Sequence, residues 1–234
     1  MAASTSPVIL ALDLPTLKEA VEMARRTAPF LAAAKIGSQL FTAEGPVAVR
    51  AMHDLGLRVF LDLKFHDIPN TVAGAVTAAA GMGVWILNVH GSGGGAMLGA
   101  AARAGASAAP RPLILAVTIL TSLAPDEVGD LFGTTRSLPE QVGHLATLAR
   151  AAGLDGVVAS PHEIALVRKV CGARFLIVTP GVRPADAERG DQRRVMTPSE
   201  AVRAGADYVV VGRPILAASD PADAARRIVA EIGR

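Results

Sequence analysis

The strongest constraint on the fold is a repeated alternation of short apolar runs with longer, alanine-rich segments of helical periodicity. We predict eight strands at residues 8–12, 32–36, 58–63, 84–89, 113–118, 156–159, 175–178 and 208–211. Helices are predicted between them, for example at 17–26, 46–55, 72–81, 139–152 and 222–232. This order predicts one (β/α)8 TIM barrel domain over residues 1–234. A doubly wound open sheet is the alternative, because order along the chain does not show closure.

Composition and spacing argue against several classes of protein. The formal charge is +2 and the Lys and Arg residues form no block, so we expect no nucleic-acid partner. No run of about 18 apolar residues is present, and the first seven residues lack a basic segment, so we expect neither a membrane span nor a signal peptide. Cys171 is the only cysteine, and the five histidines form no i,i+4 pair. We therefore expect a cytoplasmic protein with no internal disulfide and with neither a thiolate metal cluster nor a histidine-based metal site.

Charged residues are predicted at the ends of several strands. The run from Phe60 to Thr71 places a lysine between two aspartates at the end of an apolar strand, where charges are costly to bury without a function. In a parallel barrel the strand ends converge on the C-terminal mouth, where active sites form. The charges expected to meet there are Asp13, Lys35, Asp62, Lys64 and Asp67.

The surroundings of Lys64 suggest its chemistry. Strand alternation puts Asp62 and Lys64 on the same face, and Asp67 follows near the start of the next helix. Opposite charges favour the protonated amine, whereas a Schiff-base nucleophile must lose its proton. The pattern therefore favours a lysine that protonates a developing carbanion or fixes an anion.

Two glycine-containing loops predict a phosphate site after strands seven and eight. Arg183 follows Thr-Pro-Gly-Val, and Gly212-Arg213 follows the last strand. These are the loops in which TIM barrels often hold phosphate. Gln192 lies in the long segment 181–196, which we expect to act as a binding loop or lid, as we do for 121–138. The glycine-rich segment 91–96 approximates a dinucleotide fingerprint, but no acidic residue ends the following strand.

Ten consecutive residues, Asp62-Leu-Lys-Phe-His-Asp-Ile-Pro-Asn-Thr71, closely resemble the orotidine 5'-phosphate decarboxylase family of the bacterial type. The resemblance extends over nearly the whole chain, in order. It includes Leu10-Ala-Leu-Asp13, Lys35-Ile-Gly37, Val117-Thr-Ile-Leu-Thr-Ser122, Thr179-Pro-Gly-Val-Arg183, Asp191-Gln192, Arg194-Val-Met-Thr-Pro198 and Val211-Gly-Arg213. One departure is Gly91 after His90, where alanine is expected.

The resemblance implies a carboxy-lyase that converts orotidine 5'-monophosphate to UMP and CO2 in pyrimidine biosynthesis, without cofactor or metal. It implies a homodimer in which Asp67 reaches the partner's site. Lys64 would protonate C6, and Asp62 would face the substrate carboxylate. The implied binding residues are Asp13, Lys35 and Thr71 for ribose, Thr121 (or Ser122) for the pyrimidine, and Arg183, Gln192, Gly212 and Arg213 for phosphate.

Two other functions remain open on the sequence. A Mg²⁺-dependent sugar-phosphate lyase or synthase of the same barrel group would use carboxylates near Asp62 and Asp67. Lys35 argues against it, because an acidic ligand is expected at the end of strand two. A non-catalytic phosphosugar-binding barrel would keep Arg183 and Arg213 but has no need for the Asp-Lys-Asp array.

Overall fold

The computed structural model describes residues 6–184 and 196–233. Within these ranges eight parallel strands pair in chain order, and the last strand pairs with the first. The strands are β1 (Val8–Ala11), β2 (Ala33–Gly37), β3 (Val59–Phe65), β4 (Ile86–His90), β5 (Leu113–Val117), β6 (Gly156–Val158), β7 (Leu176–Pro180) and β8 (Tyr208–Val211). The closed order confirms the (β/α)8 barrel and rules out an open sheet.

Helices surround the barrel between successive strands. They are α1 (Leu17–Thr27), α2 (Ser38–Glu44), α3 (Pro46–Asp54), α4 (Pro69–Gly81), α5 (Gly94–Ala106), α6 (Pro125–Phe132), α7 (Leu138–Ala151), α8 (Ile164–Cys171), α9 (Pro198–Arg203), α10 (Arg213–Leu216) and α11 (Pro221–Ile232). The predicted elements are all found, with ends that differ by a few residues. In the described part of the chain, no helix is both long and apolar enough to cross a membrane.

The segment 121–138, predicted to be irregular, contains helix α6. The helix begins at Pro125, whose fixed φ suits a first turn. The Glu127 carboxylate accepts a hydrogen bond from the Ala124 N–H at 2.7 Å, and Gly133 ends the helix in a left-handed conformation. These local signals mark both ends of a helix of only eight residues.

Side-chain alternation divides the core into two layers. Inward-facing strand residues fill the barrel, and these are Ile9, Ala11, Ala33, Phe60, Ile86, Leu115, Val178 and Val210; Ala32, just before β2, packs with them. The alternate residues of the same strands, such as Leu10, Leu61 and Leu87, pack outward against the helices. Because all eight strands are parallel, the residues that end each strand lie together at the mouth of the barrel.

The end of the barrel opposite the mouth is closed by aromatic and charged side chains. Trp85 and Tyr208 meet edge to face with ring centroids 5.1 Å apart, and the Arg58 guanidinium lies 3.7 Å from the centre of the Trp85 ring. Nearby, Arg168 bonds to Asp207 at 2.6 Å and to the Gly205 carbonyl oxygen at 2.7 Å. These contacts connect loops to the first residues of the strands, so we expect the end of the barrel opposite the mouth to contribute to the stability of the fold.

Candidate active site

Four of the predicted residues form one chain of ion pairs at the mouth. Lys35 Nζ lies 3.1 Å from Asp13 Oδ1 and 3.1 Å from Asp62 Oδ2. Lys64 Nζ lies 2.7 Å from Asp62 Oδ1. The order Asp13–Lys35–Asp62–Lys64 alternates in charge, so each charge has an opposite neighbour.

Burial and neighbouring charge oppose each other at the centre of this array. Burial alone would lower the pKa of Lys35, but Asp62 and Asp13 together hold that pKa above its ordinary value. Burial alone would raise the pKa of Asp62, but Lys35 and Lys64 hold it below its ordinary value. Lys35 is therefore positively charged and Asp62 negatively charged at neutral pH.

The array separates two cavities. One is an apolar recess of about 170 Å³. Its apolar lining residues are Phe60, Val117, Ile119, Leu120, Val158, Ala159, Pro180 and Val210. The other is a more polar cleft of about 580 Å³, lined by Asp13, Ser38, Arg183, Gly212, Arg213 and others. Lys35, Asp62 and Lys64 line both cavities. A ligand with a flat apolar end in the recess and an anionic end in the cleft would therefore pass beside these three charged side chains.

Lys64 has an unusual backbone conformation. Its φ of 51° is the only positive value at a non-glycine residue in ranges 6–184 and 196–233. It lies in an irregular part of β3, where Leu61 pairs with Leu87 and Phe65 pairs with Val89. Such a conformation costs about 1–2 kcal/mol for an L-residue. Asp62 and Lys64 face the same mouth, as predicted, but through this bulge rather than by regular alternation.

Gly37 gives the Asp13–Lys35 pair its space. A Cβ built on Gly37 would lie 2.9 Å from Asp13 Oδ1 and 3.0 Å from Lys35 Nζ. Real side chains do not approach so closely without displacing something. Glycine at the end of β2 is therefore needed for this ion pair.

The predicted phosphate residues lie at the polar cleft. Gly181 has a φ of 83°, which glycine adopts without strain, and Arg183 two residues later is buried. Gly212 precedes α10, and Arg213 is the first residue of that helix. Gln192 lies outside the described residues, as does most of the predicted lid.

Thr121 lines the apolar recess, as expected for a residue that contacts a ring. Asp67 and Thr71 are exposed and line neither cavity. Asp67 Oδ1 accepts from the Ile68 N–H at 2.6 Å at the entry to α4, which begins at Pro69 as its sequence predicts. The chain alone therefore does not bring Asp67 into the array.

His90 and Gly91, which follow Val89 at the end of β4, each have a close neighbour there. The His90 ring stacks on His66 with centroids 5.3 Å apart, and burial, then the charges of His66 and Lys64, lower the pKa of His90. A Cβ on Gly91 would lie 2.9 Å from the Val117 carbonyl oxygen. The alanine expected at this position would therefore collide with β5.

Sequence reasoning missed one residue of the site. Asn88, on β4, is 1% exposed and contacts both Asp62 and Lys64. A signal was available, because Asn88 is a single polar residue in the apolar run Ile86-Leu87-Asn88-Val89. Its position alternates with Ile86, so it faces the barrel interior.

Comparison with known proteins gives consistent matches. Residues 6–228 match the model of the family described as "Orotidine 5'-phosphate decarboxylase / HUMPS family". The chain is 56% identical over 230 residues to orotidine 5'-phosphate decarboxylase of Moorella thermoacetica, covering 96% of this chain and 91% of the relative. It is 52% identical to that of Alcanivorax borkumensis, covering 94% of each. The crystal structure of the Lactobacillus acidophilus enzyme superposes with a TM-score of 0.85 at 36% identity, covering 98% of this chain and 100% of that one.

Proposed function

This chain belongs to the orotidine 5'-phosphate decarboxylase family, and we propose that it acts through Lys64 as the proton donor to C6 of the pyrimidine. The enzyme is a carboxy-lyase that converts orotidine 5'-monophosphate to UMP and CO2, a step of pyrimidine biosynthesis. The observation that supports the assigned role is the alternating array Asp13–Lys35–Asp62–Lys64, placed between an apolar recess and a cationic cleft.

The two cavities suggest how the substrate lies. We assign the pyrimidine ring to the apolar recess beside Thr121, and the phosphate to the cleft, with Arg183, Arg213 and the Gly212 amide as donors. Gln192 is assigned to the same phosphate on its sequence position alone. The ribose then spans the array, where Asp13 and Lys35 can bind hydroxyl groups. Thr71 is assigned to the same hydroxyl groups on its sequence position alone.

The proposed chemistry needs no group beyond the side chains of the site. The bond from C6 to the carboxylate breaks, its electron pair stays on C6, and a proton moves from Lys64 Nζ to C6. One positioned proton donor accounts for about 10²–10⁴ in rate, whereas efficient enzymes reach about 10¹⁷. Most of the effect must therefore come from fixed charges in a dry site and from binding energy at the phosphate.

We propose a homodimer with Asp67 shared between sites. Asp67 and Ile68 are exposed beside the mouth, and 68% of Ile68 is accessible, the largest fraction of any large apolar residue in ranges 6–184 and 196–233. A partner subunit would cover Ile68 and add the Asp67 carboxylate next to Lys64. We further propose one barrel domain over residues 1–234 and a cytoplasmic location.

The metal-dependent alternative is less consistent with the array. The Lys35 ammonium lies between Asp13 and Asp62, at 3.1 Å from each. It already neutralises the carboxylates after β1 and on β3 that a Mg²⁺ ion would need.

The reaction is tested by the loss of orotidylate absorbance in EDTA. Wild-type enzyme should form UMP at an unchanged rate with the chelator, whereas loss of activity would support the metal-dependent alternative. Lys64→Ala should fold and lose UMP formation, because no other ammonium touches Asp62 Oδ1 in the described residues. Substantial turnover by this variant would refute the role of Lys64.

The shared site is tested by mixing two inactive variants. Hybrid dimers of Asp67→Ala and Lys64→Ala contain one site with both native residues, so activity should return on subunit exchange. If exchange is demonstrated and no activity returns, Asp67 does not cross the interface.

A further inference from the structure

Asn88 is a buried amide on β4 that contacts both members of the Asp62–Lys64 ion pair. Its Nδ2 donates to Asp62 Oδ1 at 2.7 Å, and its Oδ1 accepts from the backbone N–H of Lys64 at 2.8 Å. We propose that Asn88 is a positioning residue that holds Lys64 Nζ in place for proton transfer to C6. This inference rests on the proposed role of Lys64.

The chemistry of its partners fixes the orientation of the Asn88 amide. A backbone N–H can only donate, so the carbonyl oxygen must face Lys64. The ionised Asp62 carboxylate can only accept, so the amino group must face Asp62. A flipped amide would break both bonds and leave a buried carboxylate facing an oxygen.

The bond to Lys64 acts on its backbone. Between Leu61 and Phe65, β3 advances by four residues, whereas its partners on β4, Leu87 and Val89, are two apart. Asn88 lies between those partners, opposite the bulge, and takes up the Lys64 N–H. A left-handed lysine persists only where surrounding bonds fix it. This bond therefore helps set the direction in which the Lys64 side chain leaves the strand.

The bond to Asp62 acts on the other end of the ion pair. Asp62 Oδ1 receives both Asn88 Nδ2 and Lys64 Nζ at 2.7 Å, and Oδ2 lies 3.1 Å from Lys35 Nζ. Asn88 therefore links the Asp62 carboxylate to the backbone of Lys64. The Lys64 side chain is fixed at its backbone by the Asn88 carbonyl oxygen and at its ammonium group by Asp62. A displacement of about 1 Å at a reacting group can cost about 100-fold in rate.

Asn88→Ala removes both bonds and is the first test. We expect kcat to fall by about 10- to 100-fold, with KM changed much less, because the cleft residues that bind phosphate are untouched. Exchange of the C6 hydrogen of UMP in D2O should slow in parallel, since this exchange uses the same proton transfer without decarboxylation. The matched control is Val89→Ala, which shortens the adjacent buried side chain on the outer face of β4. It should keep wild-type kcat.

Asn88→Asp tests the positioning role while it keeps the packing of the side chain nearly unchanged. The aspartate has nearly the same shape and can still accept from the Lys64 N–H, but it turns a carboxylate towards Asp62. Two such carboxylates share a proton, which raises the pKa of one of them. Below that pKa an O–H group replaces the lost N–H donor, so the kcat of the variant relative to wild type should rise as the pH falls. Lys35, Lys64 and His90 face this region in both proteins, so the ratio reports the effect of the new carboxyl group.

Three results would overturn the inference. These are wild-type kcat in Asn88→Ala, an equal loss in Val89→Ala, or a pH-independent ratio for Asn88→Asp. If Asn88→Ala does not fold, the pH ratio of Asn88→Asp decides. Failure of the proposed function is distinct, because wild-type enzyme would then form no UMP, or Lys64→Ala would still exchange the C6 hydrogen.

Discussion

A single methyl group at Gly37 should perturb one ion pair of the site and leave the fold intact. The Cβ of Gly37→Ala would lie 2.9 Å from Asp13 Oδ1 and 3.0 Å from Lys35 Nζ, two atoms that are themselves 3.1 Å apart. The backbone of Gly37 does not require glycine for its own conformation, since its φ is −92°. The effect is therefore confined to contacts of the new methyl group.

The two partners differ in their freedom to move. The Lys35 side chain is 9% exposed and is also held by Asp62, whereas the Asp13 side chain is 52% exposed. The Asp13 carboxylate should therefore turn outward and leave the site. A hydrogen bond to a charged group contributes about 1.5–3 kcal/mol, so kcat/KM should fall by roughly 10- to 150-fold if Asp13 binds a ribose hydroxyl.

The assay is kcat/KM for orotidylate in Gly37→Ala, Asp13→Ala and the double variant. Because both changes remove the same contact, the double variant should be little worse than Asp13→Ala. Gly81→Ala is the control, since a Cβ on that exposed glycine at the end of α4 meets nothing within 4 Å. Wild-type kcat/KM in Gly37→Ala, or losses that simply add, would refute the reasoning.

Three further positions should respond to substitution in different ways. The raised pKa of Lys35 contributes stability that is complete below about pH 10.4 and is lost as the pH rises through the folded value, so Lys35→Met should flatten the alkaline fall of Tm. A Tm that falls as steeply with rising pH in Lys35→Met as in the wild type would contradict this. Arg168→Met should lower the free energy of unfolding in urea by about 2–3 kcal/mol, whereas the exposed Arg174→Met should change it by less than about 0.5 kcal/mol. Gly91→Ala should cost about 1–3 kcal/mol by overpacking, and wild-type stability would show that β5 adjusts freely.

The fold could be predicted from the sequence because its signals are local and repeated. Eight buried parallel strands appear in the sequence as apolar runs, and the segments between them hold one or two helices each. Closure itself depends on pairing between β1 and β8, which no local pattern contains. Helix α6 was not predicted, because eight residues carry only a short apolar pattern; the cap at Glu127 and the stop at Gly133 are the signals that mark its ends.

The candidate site could be predicted as a set of residues but not as a geometry. Asp13 follows β1, and Lys35 and Asp62 lie within the neighbouring strands β2 and β3, so their convergence follows from topology. The left-handed backbone of Lys64 depends on the register between β3 and β4, and the role of Asn88 depends on that bulge. Such features arise from strand pairing and are not visible in either strand alone.

The closed end of the barrel also determines what optical spectroscopy can detect. The single tryptophan and the single tyrosine of the chain lie together there, with Arg58 over the indole of Trp85. Neither ring lines the two cavities at the mouth. Intrinsic fluorescence should therefore follow separation of the strands during unfolding and remain nearly constant when ligand binds. Occupancy of the site would need an introduced fluorophore near the mouth, for example Leu120→Trp at the edge of the recess.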